Sequence, residues 1–419
     1  MRGTSTSIRP TIILAIFATL AAMSTGPAAA QTESVLYSFG QNNEYWGPYF
    51  PPVVGPGGTL YGTIVFDDNA YQLAPSGGGT WNEALIANLP SPGSSPDGAQ
   101  LAIDSVGNLY GVTSSGGEFN GGTVFELSPG PAGWTETILH SFSYNGKDGN
   151  NPEAGLILDS VGNLYGTTAF GGGSGAMCGT GQNGCGTVFE LSPIAGKGWK
   201  ETILHRFLDK DEDGEIPEGT LVIDAAGNLY GTTSEGGYSW GVVFELTPAD
   251  GGWREKILHR FSYFNSGADG KSPSAGLVLD ANGNLFGTTS GGGVFAKGTA
   301  FEVSPTANGV WLEKTIHNFG NGVNGSPSIL GDGLVVDSAD NLYGTTWNGG
   351  SYHNGAVFEL SPSANGSWTE KILHSFEGSK SSDGATPYTG LVFGPSGTLY
   401  GVTYFGGTYD AGTVFEIIP

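Results

Sequence analysis

The chain is poor in cysteine, in cations and in long apolar runs, and each shortage removes a class of function. Two cysteines in 419 residues cannot staple a small secreted scaffold or supply the paired ligand set of a structural zinc. Fifteen Lys and Arg stand against 39 Asp and Glu, a net charge of −24 with His neutral. A phosphate backbone would meet repulsion, so nucleic acid is not expected as a partner. Beyond residue 30 no uninterrupted apolar stretch approaches the ~20 residues of a membrane-spanning helix, so no membrane span is expected there. Runs of strong helix formers are missing too, which excludes helical bundles.

What the chain has is glycine, 74 residues of it, placed at fixed points and not scattered as in a disordered chain. The first thirty residues stand apart. Arg2 and Arg9 form a basic start, Thr11 to Met23 an apolar middle, and Ala28-Ala29-Ala30 a small-residue cleavage site, the pattern of a secretory signal peptide. Its removal before Gln31 leaves 13 basic residues against 39 acidic, a net charge of −26. The mature protein, residues 31–419, is therefore expected outside the cytoplasm, extracellular or periplasmic, and as a monomer. The sequence stops at Pro419 directly after an apolar strand, so no anchor or sorting tail is expected.

Gly162-Asn163-Leu164-Tyr165-Gly166-Thr167-Thr168 recurs along the mature chain. With the leucine as ruler, the copies fall at Leu60, Leu109, Leu164, Leu229, Leu285, Leu342 and Leu399, spaced 49, 55, 65, 56, 57 and 57 residues. Such a period marks one supersecondary unit copied seven times. In the third copy, Ala154 to Asp159 reads as an apolar strand A buried on both faces. Asp159 to Asn163 reads as a turn, Leu164 to Thr168 as strand B, Gly186 to Leu191 as strand C and Trp199 to Phe207 as strand D. Four antiparallel strands repeated seven times predict an all-β fold, a single seven-bladed β-propeller. The ends agree with it. Ser34 to Phe39 matches strand D, and Gly412 to Ile417 is a strand C with no strand D after it, so the N-terminal strand should complete the last blade and remove an open edge. Blade 1 is degenerate, with Gly55, Gln72 and Ala87 where other copies have Asp, Glu and His.

The run Gly-Asn-Leu-Tyr-Gly-Thr-Thr, then Gly-Gly, then Gly-Thr-Val-Phe-Glu-Leu, resembles the GloVer tandem repeat, named for Gloeobacter and Verrucomicrobia, whose proteins are described as choice-of-anchor. The resemblance covers residues 34–419. It implies an exported bacterial protein, often carrying a C-terminal anchor that this sequence lacks, and no activity that transfers residue by residue. The Asp-x-x-Gly-Asn-Leu-Tyr turn is also similar to that of NHL and gluconolactonase-type propellers.

A residue present in every blade solves a problem of every blade, whereas a site is expected to break the repeat. On that ground the turn aspartates Asp104, Asp159, Asp224, Asp280 and Asp337 are structural. So are the strand D histidines His140, His205, His259, His317 and His374, the strand C glutamates, and the six tryptophans that open strand D. In this strand order the B–C and D–A loops share one face, and repeat-breaking aromatics gather there: Tyr45, Trp46, Tyr49 and Phe50 before blade 1, Tyr238 and Trp240 in blade 4, Trp347, Tyr352 and His353 in blade 6, and Tyr404, Phe405 and Tyr409 in blade 7. Aromatics beside Gly and Asn suit stacking on a sugar, and the alternative is that they pack the loops together. Trp46, Trp240, Trp347, Tyr45, Tyr238, Tyr352 and His353 are the candidate binding residues.

Cys178 and Cys185 stand in the longest B–C loop, and in an exported protein they are expected to form a disulfide. Asp209-Lys210-Asp211-Glu212-Asp213-Gly214 resembles the first half of a calcium loop, with Asp209, Asp211 and Asp213 as ligands. Pro217 and Thr220 stand where its later ligands belong. Calcium is thus the one candidate cofactor. The expected function is a binding module for a neutral polysaccharide or a cell-surface protein through the long-loop face. The alternatives are an extracellular glycoside hydrolase or lyase, drawing on nonrepeating acids such as Glu118, Glu235 and Asp410, and a structural envelope protein without a small ligand.

Overall fold

The computed structural model describes residues 33–419 except 41–46, 65–68, 90–99, 144, 174–176, 179–181, 209–212, 238, 263–267, 322–324 and 326–332; the side chains of 177–178, 182–183, 239 and 262 are likewise not described. Residues 1–30, expected to be a signal peptide, lie outside the described residues together with Tyr45, Trp46, Asp209, Asp211 and Tyr238. Seven four-stranded antiparallel sheets form, each in the order A-B-C-D. Blade 3 is the pattern for all. Its strands are Ile157–Leu158, Leu164–Thr168, Thr187–Ile194 and Gly198–Arg206. No α-helix occurs among the described residues.

The motif reads directly as contacts. Glycine is required in the middle of strand B because the strand C phenylalanine lies across it. A Cβ on Gly166 would come 2.6 Å from Phe189 Cζ, and Gly111, Gly231, Gly287, Gly344 and Gly401 are covered the same way. The threonine that ends strand B meets the one that begins strand C, with Thr168 and Thr187 hydroxyls 2.8 Å apart in a buried position. The aspartate after strand A caps the turn. Asp159 accepts the backbone N–H groups of Val161 and Asn163 through Oδ1, and the Asn163 amide and Tyr165 hydroxyl through Oδ2. Burial alone would raise its pKa, but these four donors outweigh it and hold the carboxyl below its ordinary range. In blades 1 and 7 the aspartate is Gly55 or Gly394, and the Tyr61 or Tyr400 ring fills the vacated space.

Blades are held together by rings. The phenylalanine that ends strand D meets the strand C phenylalanine of the next blade edge to face, as in Phe142–Phe189 at 5.1 Å and Phe207–Phe244 at 5.2 Å. The opening tryptophan of strand D packs against the strand B tyrosine of the preceding blade, as in Tyr110–Trp199. Such pairs add about 0.5–1.5 kcal/mol each beyond the area they bury.

The seventh interface closes the ring. Glu33–Ser38 pairs with Thr413–Ile417, with Val35 opposite Phe415 and Tyr37 opposite Val414. Phe39 then packs on Tyr71 of blade 1 at 5.2 Å, within a buried cluster that joins Leu60 and Leu73 to Tyr400 and Val402. One expectation is corrected. Strand A is shorter than expected, two residues in blade 3, and Ile157 and Leu158 are each half-buried against the core on one side of the blade. Gly155 donates its N–H to Thr220 Oγ1 of the next blade, 3.2 Å away.

Candidate functional site

Both long loops of a blade lie on one face. Gly149–Asn150 of the D–A loop pairs with Phe170–Gly171 of the B–C loop, and the same miniature sheet joins Gly214–Glu215 to Glu235–Gly236 and Gly384–Ala385 to Phe405–Gly406. Among the described residues, four D–A loops carry a proline seated on the closing glycine of the preceding blade's B–C loop. A Cβ on Gly122 would come 2.6 Å from Pro152 Cδ, and Gly186 with Pro217 and Gly355 with Pro387 repeat the contact. The residue after that proline heads strand A at the axial mouth. It is Glu153, Glu218, Ser274 or Tyr388, according to the blade.

Three blades supply an aromatic wall at this mouth. Tyr388 of blade 7 stacks on Tyr49 of blade 1, with centroids 4.9 Å apart and planes 3° apart. Trp347 of blade 6 lies nearly parallel on the same tyrosine at 6.4 Å and 8°. Tyr404 meets Tyr49 and Tyr388 edge-on at 5.0 and 5.6 Å. Trp347 and Tyr404 follow strand B where other blades carry Ser114, Ala169, Ser234 and Ser290. These rings therefore break the repeat. Tyr49, Trp347 and Tyr388 remain half-exposed while Tyr404 is buried behind them.

Blades 3 and 4, across a seven-membered ring from blade 7, supply acid instead. Glu153 and Glu218 occupy the same position on neighbouring blades. Burial lifts Glu218 to about 7, and the Glu153 charge adds to the shift while a bond with Ser234 opposes it. Tyr388 and Tyr49 thus stand where blades 3 and 4 carry Glu153 and Glu218.

The strand D histidines belong to the rim. His140 lies 3.4 Å from Asp148 of its own D–A loop and 3.7 Å from Glu201 on the next blade's strand D. His205 meets Asp213 and Glu255 alike, and His259–Asp269–Glu313 and His374–Asp383–Glu33 repeat the group. Each such clasp ties two blades. Burial disfavours the His140 imidazolium, but Asp148 and Glu201 outweigh it and raise its pKa. Burial pushes Glu201 and Glu255 up to about 7. Each of these four histidines thus bridges two blades, in a His–Asp–Glu group whose ligand atoms lie close enough together to hold a metal ion.

The candidate residues separate by position. Trp347 joins the aromatic wall. Trp240 is half-buried against the blade 4–5 core, with Lys271 Nζ 5.4 Å above its ring. Tyr352 and His353 project from the blade 6 B–C loop on the same face but away from the mouth, Tyr352 being 52% exposed. Glu118, Glu235 and Asp410 are exposed in their loops. Asp213 accepts the Leu208 and Gly214 N–H groups and belongs to the His205 clasp. Cys185 is fully buried and is not a free thiol; the Cys178 side chain lies outside the described residues.

Tyr388, Glu153 and Glu218 were not singled out from the sequence as site residues. The signal was present, since all three directly follow the D–A proline, but it becomes legible only once that position is known to head the axial strand.

Fold and mouth together define a closed propeller with a repeat-breaking site on its long-loop face. The Gloeobacter/Verrucomicrobia repeat model matches residues 22–180 and 173–415, and the chain belongs to that family. No curated protein matches it. Among solved structures it is similar to a catalytically inactive virginiamycin B lyase from Staphylococcus aureus with quinupristin, at 14% identity and a TM-score of 0.53, covering 93% of this chain and 99% of that one. The selenomethionine-substituted form of the same lyase gives 13% and 0.52, with coverage of 93% and 99%. Likeness at this identity concerns the fold alone. No helix among the described residues is long and apolar enough to cross a membrane.

Proposed function

We propose that the protein is an exported binding module that takes a neutral polysaccharide at the axial mouth of its long-loop face. The carrying observation is the wall of three nearly parallel rings, Trp347, Tyr388 and Tyr49, contributed by three blades. No blade needs them for its own packing, since the equivalent positions elsewhere hold Ser, Ala or Glu. Tyr49, Trp347 and Tyr388 each keep part of their surface exposed, and aromatic surface of this kind suits contact with a sugar ring. A net charge of −26 after loss of the signal peptide disfavours anionic polymers. The test is a glycan array and an insoluble-polysaccharide retention assay on the mature protein. Retention on uncharged glycans supports the reading, and binding confined to proteins or anionic polymers overturns it.

The second reading is a glycoside hydrolase or lyase, and the Glu153–Glu218 pair favours it. A carboxyl whose pKa is raised toward 7 can give a proton to a leaving oxygen, and a second carboxyl beside it can take one from water. Product release from a retained glycan, abolished by Glu218→Gln, would establish that reading; retention without turnover leaves the binding module. A structural envelope role remains if neither binding nor turnover is found.

A further inference from the structure

Four B–C loops present the same ring to solvent. Blade 2 reads Gly116-Gly117-Glu118-Phe119-Asn120-Gly121-Gly122, and blades 5, 6 and 7 repeat the pattern around Phe295, Tyr352 and Tyr409. The backbone is identical in kind. The residue after the ring enters the left-handed region, with φ of 59° at Asn120, 54° at Ala296, 64° at His353 and 60° at Asp410. It donates its N–H to the second glycine carbonyl, and the closing glycine donates to the first, in all four loops. The residue before the ring donates its N–H to the end of strand D: Glu118 to Ser141 Oγ, Val294 to Asn318 Oδ1, Ser351 to Ser375 Oγ and Thr408 to Ser38 Oγ. The rings are therefore held by one preorganised loop in four places.

Their exposure decides what they are for. Rings that recur to serve the fold are buried, as Phe142 and Phe189 are at 0%. Phe119, Phe295, Tyr352 and Tyr409 instead stand 50, 45, 52 and 49% exposed. A large apolar side chain kept half in water four times, on a loop that fixes its direction, is arranged for something outside the chain. Tyr352 and Tyr409 read from the sequence as rings that break the repeat, but with Phe119 and Phe295 they form a repeat of their own.

We infer that these four rings are equivalent outer subsites, and that the rim engages a neutral polysaccharide multivalently while the mouth takes one segment of it. Three of the subsites lie on consecutive blades, 5, 6 and 7, so one repetitive chain running along that arc meets them in turn. A uniform polymer is the occupant because identical sites at regular intervals reward a ligand that repeats, and the negative charge of the mature chain disfavours an anionic one. Each fixed ring then adds an intramolecular contact at little ordering cost. This inference rests on the glycan reading of the mouth.

The experiment uses mature protein carrying Phe119→Ala, Phe295→Ala, Tyr352→Ala and Tyr409→Ala together. The single variants and a set with Phe and Tyr exchanged at the four positions accompany it. Retention on insoluble polysaccharide, calorimetric binding of short soluble fragments of the same glycan, and melting temperature are measured. Retention should fall stepwise with each ring, by about 10²–10⁴-fold for all four. Fragment binding at the mouth and melting temperature should stay unchanged, and the exchanged set should behave as wild type. Wild-type retention by the quadruple variant overturns the rim subsites and leaves the mouth standing. A wild-type protein that retains no polysaccharide overturns both. If the quadruple variant melts early, the singles decide: lost retention at unchanged melting supports the subsites, and lost melting alone overturns them.

Discussion

Glu136 tests the clasp by its defect. It occupies the place of Glu201 and Glu255, but the blade 1 residue that should be its histidine is Ala87. Its Oε1 is buried without a hydrogen-bond partner, and burial lifts its pKa to about 7. An acid whose folded pKa is raised contributes full stability below its unfolded pKa and loses it as pH rises through the folded one. Between the ordinary value of 4.5 and about 7, the ceiling on that loss is about 3 kcal/mol. The residue is only half-buried, so screening by water reduces the figure to about 1 kcal/mol. Glu136→Gln should therefore stabilise the protein by about 1 kcal/mol at pH 8 and leave it nearly unchanged at pH 4. Denaturant midpoints of wild type and variant at both pH values are the assay. An equal shift at the two pH values, or destabilisation at pH 8, refutes the reasoning.

Three further outcomes are expected. Deleting residues 31–40 removes the strand paired with Thr413–Ile417 and should expose a sheet edge, giving aggregation and a lower melting temperature; an unchanged melt contradicts closure. Cys178 and Cys185 are proposed to be bonded in the exported protein, worth roughly 2–3 kcal/mol at most for so short a loop. Alkylation and mass spectrometry of intact protein should find no free thiol, and finding two sinks the bond. If Asp209, Asp211 and Asp213 hold calcium, a chelator should lower the melting temperature and Asp211→Ala should abolish that response. Identical melts in all four samples remove the site.

Architecture was legible in the sequence because every blade solves the same packing problem with the same residues. Gly166 under Phe189, Thr168 against Thr187 and Asp159 capping its turn are each local consequences of one motif, and repetition makes them unmistakable. Closure was legible because Ser34 to Phe39 matches strand D and Gly412 to Ile417 reads as a strand C. The site was less so. Trp347 could be picked out as a ring that breaks the repeat, but its partners Tyr388 and Tyr49 come from other blades, and nothing in linear order says which loops converge on the axis. Glu153 and Glu218 are 65 residues apart in sequence and become neighbours only because their blades do. The outer rings were partly legible, since Tyr352 and Tyr409 stood out as loop aromatics, but Phe119 and Phe295 at the same loop position did not.

The central claim is that the aromatic wall at the mouth binds a neutral glycan, and a double variant addresses it directly. Trp347→Ala with Tyr388→Ala removes two stacked rings that no blade core requires. The measurement is calorimetric affinity for the shortest soluble oligosaccharide that wild type binds, taken beside the melting temperature. Loss of these rings should cost on the order of 1–3 kcal/mol each, hence at least tenfold in Kd, with the melt within a few degrees of wild type. Unchanged affinity in a folded double variant would contradict the account.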